Sequence, residues 1–447
     1  MTECVSIENS GLSARSRPKV KAFVPVLKNV DKNFVIGSEI DVDMAIGDNW
    51  LVRKPLIAIF KEAVKDITEK TQYLIANDIK DLNYPLGVGG PSPVLTAFAS
   101  FFNQFFSPSI PIEPDHVVTF SGASTCLDGL LYAICDEGDS IILPSPFWAG
   151  YVPFTKFRAN VNIATTSDIP WRSTTSIDIV AAVKKAYSSA QDSTRIKALL
   201  MANSHNPTGK CYPSLVIREL MVFCKDNGLH YISDEIFAMS SFSKDEEGQF
   251  TSALSLVSDN EESPMDPSRL HVIYSMSKDW GSPGLRMACL VSSRNRPVLE
   301  GSWISNYMQT SNLNNVCVTA LFHSPNLPSI ISSLKNQLTR NYGWLIKALN
   351  RWGIEYIPTH AGFHIFARLV KNAQSWDDEA AGVKQLFDAG IMVTPGKSFG
   401  GIDGEFGWVR LSFSIEEKKL REGLWRIGQT LGFENDMEKF EQTSCGV

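Results

Sequence analysis

The sequence predicts an α/β protein in which a large unit built on a mostly parallel sheet is joined to a smaller α+β unit. Between about residues 116 and 326, short apolar runs of strand length alternate with helix-like stretches. Such alternation is typical of a parallel sheet whose strands are connected by crossover helices. From about residue 326 onward, a long amphipathic stretch and two separated apolar runs replace the alternation. This change indicates the second unit.

Five apolar runs are the predicted strands of the large sheet, at residues 116–120, 140–143, 196–201, 229–233 and 270–274. Helical patterns between them lie at residues 124–134 and 213–227. In the smaller unit we predict helices at residues 329–352 and 415–431, and strands near His364 and Arg410.

The same patterns predict how the chain divides into domains. We expect residues 1–35 to form a polar, irregular arm and residues 81–325 to form the large domain. Residues 36–80 join residues 326–447 in the small domain, because the segment 36–49 leads into a helix before the main sheet begins.

The composition argues against several classes of protein. The formal net charge is −6, so the chain lacks the basic excess with which nucleic-acid-binding proteins neutralise phosphates. No membrane-spanning stretch and no secretory signal are recognisable. The eight cysteines include no CxxC pair and no metal-like spacing with the histidines. We therefore expect a cytoplasmic enzyme with reduced thiols, no metal site and no nucleic-acid or membrane partner.

Small and polar residues follow the predicted strands, at the edge where open α/β sheets bind their ligands. After the first strand comes a turn of small residues at a helix N-terminus, which is a favourable position for a phosphate. Later strands are followed by an amide, an acid, and a lysine with two serines and an arginine. In chain order, these candidates are Ala123, Ser124, Asn206, Asp234, Ser275, Ser277, Lys278 and Arg286.

Pyridoxal phosphate is a cofactor whose chemistry needs this set of groups. It requires a lysine that forms a Schiff base and an acid that keeps the ring nitrogen protonated. It also requires a donor near the ring hydroxyl, with cationic and hydroxyl groups around the phosphate. Each signal alone is common in ordinary turns and caps, but the four in this order predict a pyridoxal-phosphate site.

Three motifs carry a resemblance to a known family: SHNPTGK at residues 204–210, SDEIFA at 233–238 and YSMSKDWGSPGLR at 274–286. With them, the chain resembles the fold type I pyridoxal-phosphate enzymes of the class I/II aminotransferase family, and most closely their 1-aminocyclopropane-1-carboxylate (ACC) synthase branch. The resemblance covers residues 36–431. It implies a large domain with a mostly parallel, seven-stranded sheet, an amino-acid substrate, and a homodimer with shared active sites.

The resemblance assigns the cofactor residues one by one. It implies that Lys278 is the Schiff-base lysine, that Asp234 binds the pyridine nitrogen, and that Asn206 binds the ring oxygen. The phosphate would be bound by Ala123, Ser124, Ser275 and Arg286. Phe147, in PSPFWAGY, matches the aromatic residue that stacks on the cofactor ring, and Tyr84, in NYPLGVGG, matches a tyrosine that reaches the phosphate in the neighbouring subunit.

Substrate residues follow from two further segments. Arg410, in GWVRLSF, matches the arginine that binds the substrate α-carboxylate through a bidentate contact. Gly47 and Asp48, in GDNWL, align with the first two residues of the ACC-synthase AENxL element beside the substrate. Asp48 is thereby predicted to be both a catalytic and a substrate-binding residue, although an Asp there is also a good helix N-cap.

The chain departs from the family pattern in its substrate half. Phe237 replaces a tyrosine that donates to the ring oxygen, Asp48 is one methylene shorter than the family glutamate, and GYVPFTKF lacks an Arg-Asp pair. The predicted reaction is removal of the Cα proton of S-adenosylmethionine with γ-elimination or γ-substitution and loss of methylthioadenosine, giving ACC or a product of another nucleophile. The alternative is an ordinary aminotransferase.

Two other classes of protein share parts of this pattern. Ser275 and Lys278 form an SxxK pair and residues 258–260 read SDN, as in serine acyl-enzymes, but SDN precedes SxxK and no KTG follows. An aminotransferase-like regulator would need a basic helix-turn-helix module, for which no segment is free. Its lysine would also have no catalytic use.

Overall fold

A computed structural model describes residue 7 and residues 10–33, 41–70, 84–166, 169–243 and 248–433. Within these ranges the α-helices are α1 (Ser16–Asn33), α2 (Arg53–Lys70), α3 (Ser92–Phe105), α4 (Ala123–Ile134), α5 (Tyr151–Lys156), α6 (Asp178–Ser188), α7 (Ser214–Asp226), α8 (Arg296–Ile304), α9 (Asn312–Phe322), α10 (Leu327–Arg351), α11 (Trp376–Asp388) and α12 (Glu417–Thr430).

The strands of the same ranges form three sheets. They are β1 (Val42–Asp43), β2 (Val117–Phe120), β3 (Ser140–Leu143), β4 (Asn162–Thr165), β5 (Ile196–Ala202), β6 (His230–Asp234), β7 (Leu270–Ser275), β8 (Ala288–Val291), β9 (Tyr356–Ile357), β10 (His364–Ala367), β11 (Ile391–Met392), β12 (Thr394–Pro395) and β13 (Val409–Ser412).

The large sheet has seven strands in the order β2-β8-β7-β6-β5-β3-β4. The four pairs from β7 to β4 are parallel, whereas β8 runs antiparallel to both β2 and β7. Nearly every residue of β2, β5, β6 and β7 is buried, as expected for strands covered on both faces by helices. The predicted α/β class with a mostly parallel sheet is confirmed.

A second, antiparallel sheet lies in the C-terminal part and has the order β12-β13-β10-β9. Helix α10 contributes an apolar face to the core beside it, and buried side chains recur along this helix at Leu327, Ile330, Leu334 and Leu338. This three- and four-residue spacing is what an amphipathic helix requires. The sheet delivers both His364 and Arg410 to the neighbourhood of the large sheet.

The short strand β1 connects the two ends of the chain. It pairs in parallel with β11, with Val42 opposite Ile391. The next residues then offer their backbone carbonyls to three side chains at and just beyond β13: Ala45 accepts from Arg410 at 2.6 Å, Ile46 from Ser412 at 2.8 Å and Asp48 from Ser414 at 2.7 Å. We call residues 45–48 the carbonyl segment.

One prediction about secondary structure is wrong. Residues 1–35 were expected to be an irregular arm, but α1 is a helix. Phe23 packs edge-to-face against Phe157 with ring centroids 5.2 Å apart, and Lys19 donates to the Phe157 carbonyl at 2.8 Å. Pro25 inside the helix obscured the pattern.

The structure also contains elements that the sequence did not predict, and it leaves the predicted domain boundaries untested. Strands β4 and β8, and helices such as α3 and α9, were not anticipated. Within the described ranges, every helix is too short or too polar to cross a membrane. The domain boundaries near residues 35 and 80 fall in segments outside the described residues, so the division at 36–80, 81–325 and 326–447 stays a prediction.

Candidate active site

A cavity of about 570 Å³ lies at the carboxyl ends of the parallel strands. The ends of β5, β6 and β7, the start of α4, the carbonyl segment and the small antiparallel sheet all contribute to its wall. Among the predicted residues, the following line it: Gly47, Ala123, Ser124, Asn206, Asp234, Ser275, Lys278, Arg286 and Arg410. The strand order thus brings residues from the ends of different strands into one cavity, where open α/β sheets bind their ligands.

Lys278 lies just beyond β7, and its ammonium group donates to the Gly47 carbonyl at 2.6 Å. Burial and the nearby Arg410 charge lower the pKa of Lys278 to about 8, although Asp48 and Asp234 act in the opposite direction. An amine with this pKa is partly neutral near neutral pH, which a nucleophile or general base needs to be.

Asp234 ends β6 and is only 7% exposed. Its Oδ2 accepts a short hydrogen bond of 2.6 Å from the Tyr151 hydroxyl. Burial raises the pKa of Asp234 to about 6, while the Tyr151 hydrogen bond and the distant Lys278 charge lower it. The carboxylate therefore lacks a close cation of its own among the described residues, and a cationic N–H in the cavity would stabilise its ionised form.

The opposite end of the cavity is suited to an anion. Helix α4 begins at Gly122 without a side-chain cap, so the backbone N–H groups of its first turn remain available. Gly122 has φ +107°, and a Cβ there would lie 2.1 Å from the Arg286 guanidinium. Glycine is needed for this close approach, which places a cation beside the helix terminus and near Ser275.

Arg410, on β13, is 6% exposed and is not ion-paired with any described carboxylate within 4 Å. Its guanidinium donates to the Ala45 carbonyl at 2.6 Å and to the Asn206 Oδ1 at 3.0 Å, and its Nε has no partner. Because a guanidinium only donates, the Asn206 oxygen must face it. The Asn206 amide NH₂ then points away from Arg410.

Three predicted residues do not line the cavity, namely Phe147, Asp48 and Tyr84. Phe147 packs partly buried against the core cluster that contains Phe120 and Leu127, and its neighbour Trp148 lines the cavity instead. The position of Phe147 does not support its predicted contact with a cofactor ring.

The Asp48 side chain is also absent from the cavity wall, because its carboxylate forms an ion pair with Arg53. Only the backbone just before it, at Gly47, borders the cavity. The predicted catalytic and substrate contacts of the Asp48 carboxylate are therefore not supported by its position.

Tyr84 lies away from the cavity of its own chain and is 74% exposed. This position neither tests nor contradicts a role in a neighbouring subunit. Phe237, the residue that replaces a tyrosine, is 5% exposed and does line the cavity.

The sequence prediction missed Trp148, Tyr151, Thr394 and His364, all of which line the cavity. Trp148 and Tyr151 belong to the quoted segment PSPFWAGY, so choosing another aromatic residue of that segment would have found them. No sequence pattern distinguished His364 from the other residues of its strand.

The residues present fit pyridoxal phosphate on two observations. A buried carboxylate without a close cation stands at one end of the cavity, where a protonated ring nitrogen would complement it. An uncapped helix start with an arginine beside it stands at the other, where a phosphate would bind. Lys278, with its lowered pKa, lies in the same cavity.

Replacing Phe237 with tyrosine is expected to shift the pH midpoint of the bound cofactor's visible absorption band downward. The added hydroxyl would donate to the ring oxygen and stabilise its ionised form. A pH titration followed by absorbance measures the midpoint. Phe363→Tyr is the control, since Phe363 packs edge-to-face on Phe237 at 5.1 Å but does not line the cavity. An unchanged midpoint in Phe237→Tyr would contradict the assignment.

Comparison with known proteins agrees with this geometry. A family model described as "Aminotransferase class I and II" matches residues 40–427. A probable aminotransferase, aclI, of Aspergillus oryzae is 33% identical over 95% of this chain and 98% of its own length. A 1-aminocyclopropane-1-carboxylate synthase 6 of Oryza sativa subsp. japonica is 29% identical, over 71% of this chain and 58% of the rice protein.

Solved structures give the same fold. A mutant aspartate aminotransferase of Thermus thermophilus superposes with a TM-score of 0.71 at 20% identity, covering 94% of this chain and 99% of that one. The family match spans most of the chain and includes every residue that lines the cavity. The chain therefore belongs to the class I and II aminotransferases and is a pyridoxal-phosphate-dependent enzyme.

Proposed function

We propose that this enzyme binds an α-amino acid by its carboxylate at Arg410 and removes its Cα proton with Lys278. The observation that carries the proposal is the state of Arg410. A buried guanidinium without a carboxylate partner, and with an unbonded Nε, is costly unless a ligand supplies the anion. A substrate α-carboxylate is the anion that the fork geometry of arginine binds best.

The proton transfer is assigned to the Lys278 Nζ. Its pKa of about 8 leaves a useful fraction neutral near neutral pH, so the nitrogen can accept a proton. The Gly47 carbonyl, 2.6 Å from Nζ, orients the amine within the cavity.

Pyridoxal phosphate, when bound, supplies an electron-accepting ring that stabilises negative charge at the substrate Cα. Asp234 would hold the ring nitrogen protonated, and the Tyr151 hydroxyl orients that carboxylate. The Asn206 amide would donate to the ring oxygen, and Trp148, in place of Phe147, would lie against the ring. Other residues would bind the phosphate: Ala123, Ser124, Ser275 and Arg286.

The reaction we favour is transfer of the amino group to a 2-oxo acid. The cavity supports this choice by its charge: among its described lining residues Asp234 is the only carboxylate, against Lys278, Arg286 and Arg410. Asp48, the acid expected near a sulfonium substrate, is paired with Arg53 instead. A cationic S-adenosylmethionine side chain therefore finds no free counter-charge in the described wall.

The S-adenosylmethionine reaction is the second candidate. It is supported by the position of the GDNWL segment, whose Gly47 borders the cavity, and by the aromatic side chains of Trp148 and Phe237, which can face a cation. In that reaction the sulfonium leaves from Cγ after loss of the Cα proton, and methylthioadenosine is released.

One experiment separates the two. Purified holoenzyme is incubated with a panel of amino acids, each with and without a 2-oxo acid acceptor, and separately with S-adenosylmethionine, and the products are identified by mass spectrometry. Amino transfer that depends on the acceptor supports the aminotransferase. Methylthioadenosine, with or without ACC, supports the second candidate. Without an acceptor, an aminotransferase yields at most one equivalent of 2-oxo acid per active site, because the amino group then stays on the cofactor. Repeated turnover to a 2-oxo acid without an acceptor therefore indicates elimination and contradicts the first candidate.

We also propose that the active sites are shared between two subunits, with Tyr84 of one reaching the phosphate end of the other. Its 74% exposed ring, in a segment rich in glycine, is free to contact a second copy. Mixing inactive Lys278→Ala and Tyr84→Ala subunits should then restore activity, because each hybrid dimer assembles one intact site.

Random exchange predicts recovery of about a quarter of the wild-type sites. Tyr132→Ala is the control, since Tyr132 is also an exposed tyrosine but lies on α4, and we expect it to be active without mixing. Complete subunit exchange without recovery would contradict shared sites.

A further inference from the structure

His364 places an imidazole in the substrate half of the cavity that the proposed reaction does not use. It begins β10 opposite Ser412 on β13, is 3% exposed and lines the cavity. The ring is held by edge-to-face contacts with Phe237, at 5.6 Å, and with Phe363, at 4.8 Å. Its orientation is therefore set by packing.

The hydrogen bonds around His364 determine which nitrogen carries the proton. The Ser412 hydroxyl donates its only hydrogen to the Ile46 carbonyl at 2.8 Å. Ser412 can therefore only accept from His364 Nδ1, which is 3.0 Å away. Burial and the charges of Arg410 and Lys278 lower the pKa of His364 well below its usual value, so the ring is neutral. The proton is on Nδ1, and Nε2 carries a lone pair.

That lone pair has no partner. Nε2 is buried and makes no hydrogen bond with any described residue. A buried acceptor of this kind is costly when left unpaired. It lies in the cavity beside the groups proposed to bind the substrate carboxylate and to take the Cα proton.

Gly47 provides the space for this nitrogen. A Cβ at Gly47 would lie 2.9 Å from His364 Cε1, 3.1 Å from Nε2 and 3.2 Å from the Lys278 Nζ. The backbone of Gly47 is not in the left-handed region, so room, not conformation, requires the glycine. The AENxL element has alanine at this position, and its methyl group would crowd the imidazole. The imidazole of His364 therefore requires a glycine at position 47. The His364 Nε2 and the Lys278 Nζ both lie close to the position that a Cβ at Gly47 would occupy.

We propose that His364 is a specificity-determining residue, whose Nε2 accepts a hydrogen bond from a neutral donor on the substrate side chain close to Cα. The inference rests on the proposed binding of an α-amino acid at Arg410. Hydroxyl, thiol and carboxamide side chains supply such donors. Cationic side chains are disfavoured, because Arg410 and Lys278 lie beside the same point.

The test compares pairs of unreactive ligands that differ by one hydroxyl. The α-methyl amino acids lack a Cα hydrogen, so calorimetry with the holoenzyme measures binding alone. One pair is α-methylserine and 2-aminoisobutyrate, and the other is α-methylhomoserine and isovaline, which probe donors at Cβ and Cγ. We expect the hydroxyl-bearing member of at least one pair to bind about five- to tenfold more tightly, the effect of one neutral hydrogen bond.

Two variants assign the preference to Nε2. In His364→Asn, the amide keeps a donor toward Ser412 but has no acceptor at the Nε2 position, so the ratio of the two affinities should fall to about one. In His364→Gln, the longer side chain carries an amide oxygen near the Nε2 position and should restore part of the preference. The visible spectrum of the bound cofactor checks that each variant retains its site.

The outcomes separate this inference from the proposed function. Equal binding within both pairs by the wild-type enzyme overturns the role of His364 but leaves amino-acid binding at Arg410 intact. A preference that persists in His364→Asn also overturns it. If neither member of either pair binds, the proposed amino-acid site fails, and the inference fails with it.

Discussion

Replacing Lys278 with alanine is expected to lower turnover by about four powers of ten, the largest effect of any single change in this chain. The variant loses the only described lysine in the cavity, and with it both the covalent link to the cofactor and the group that takes the Cα proton. The fold should persist, because the Lys278 side chain makes one hydrogen bond, to the Gly47 carbonyl.

Borohydride reduction followed by peptide mass spectrometry measures the link directly. In the wild-type enzyme the cofactor should be attached to a peptide that contains residue 278, and in Lys278→Ala it should wash out. Lys384→Ala is the control, since Lys384 is an exposed lysine paired with Asp388 on α11. Cofactor attached to a peptide without residue 278 would show that the assignment is incorrect.

We expect Asp234→Asn to slow the Cα proton-transfer step by about two to four powers of ten while the protein remains folded. An amide cannot hold the proton of the ring nitrogen as a carboxylate does. Removing a buried charge that acts on a cofactor costs about 3–5 kcal/mol of the barrier. The Tyr151 hydroxyl can still donate to the amide oxygen, so the local structure should be preserved.

Isotope exchange at Cα, followed by mass spectrometry, isolates the proton-transfer step. The neighbouring residue provides the control. Glu235 is fully buried, and burial raises its pKa to about 7, but it binds Ser252 and the Ala253 N–H away from the cavity. Glu235→Gln should therefore retain normal exchange. A loss of less than tenfold in Asp234→Asn would argue against the assigned role.

The cofactor half of the site was predictable because its residues are tied to local features. Asp234 ends a buried strand, Lys278 lies three residues beyond another, and the turn before Ser124 opens a helix. Strand ends alone therefore bring these residues to one edge. Of the two adjacent aromatic residues Phe147 and Trp148, it is Trp148 that lines the cavity. Phe147 and Trp148 lie in an irregular segment, so no helical or strand periodicity predicts which of the two side chains faces the cavity.

The substrate half depends on contacts that no local pattern contains. Asp48 was placed beside the substrate by alignment, but its carboxylate pairs with Arg53, five residues further along at the start of α2. The role of His364 depends on the absence of a methyl group at Gly47 and on the direction in which the Ser412 hydroxyl points. Such properties emerge only when distant strands are assembled.

The carbonyl segment determines which part of the cavity can form first while the chain is being synthesised. Arg410 is oriented by the carbonyl of Ala45, which lies 365 residues earlier in the chain, so the two cannot meet until residue 410 has left the ribosome. The strands of the large sheet that carry Asp234 and Lys278 are complete much sooner, and domains generally fold as they emerge. Residues 45–48 are synthesised long before the side chains that they bind at and beyond β13. Closing so long a loop has an entropic cost, but that cost grows only slowly with the length of the loop. The part of the cavity that contains Arg410 is thus completed after the part that contains Asp234 and Lys278.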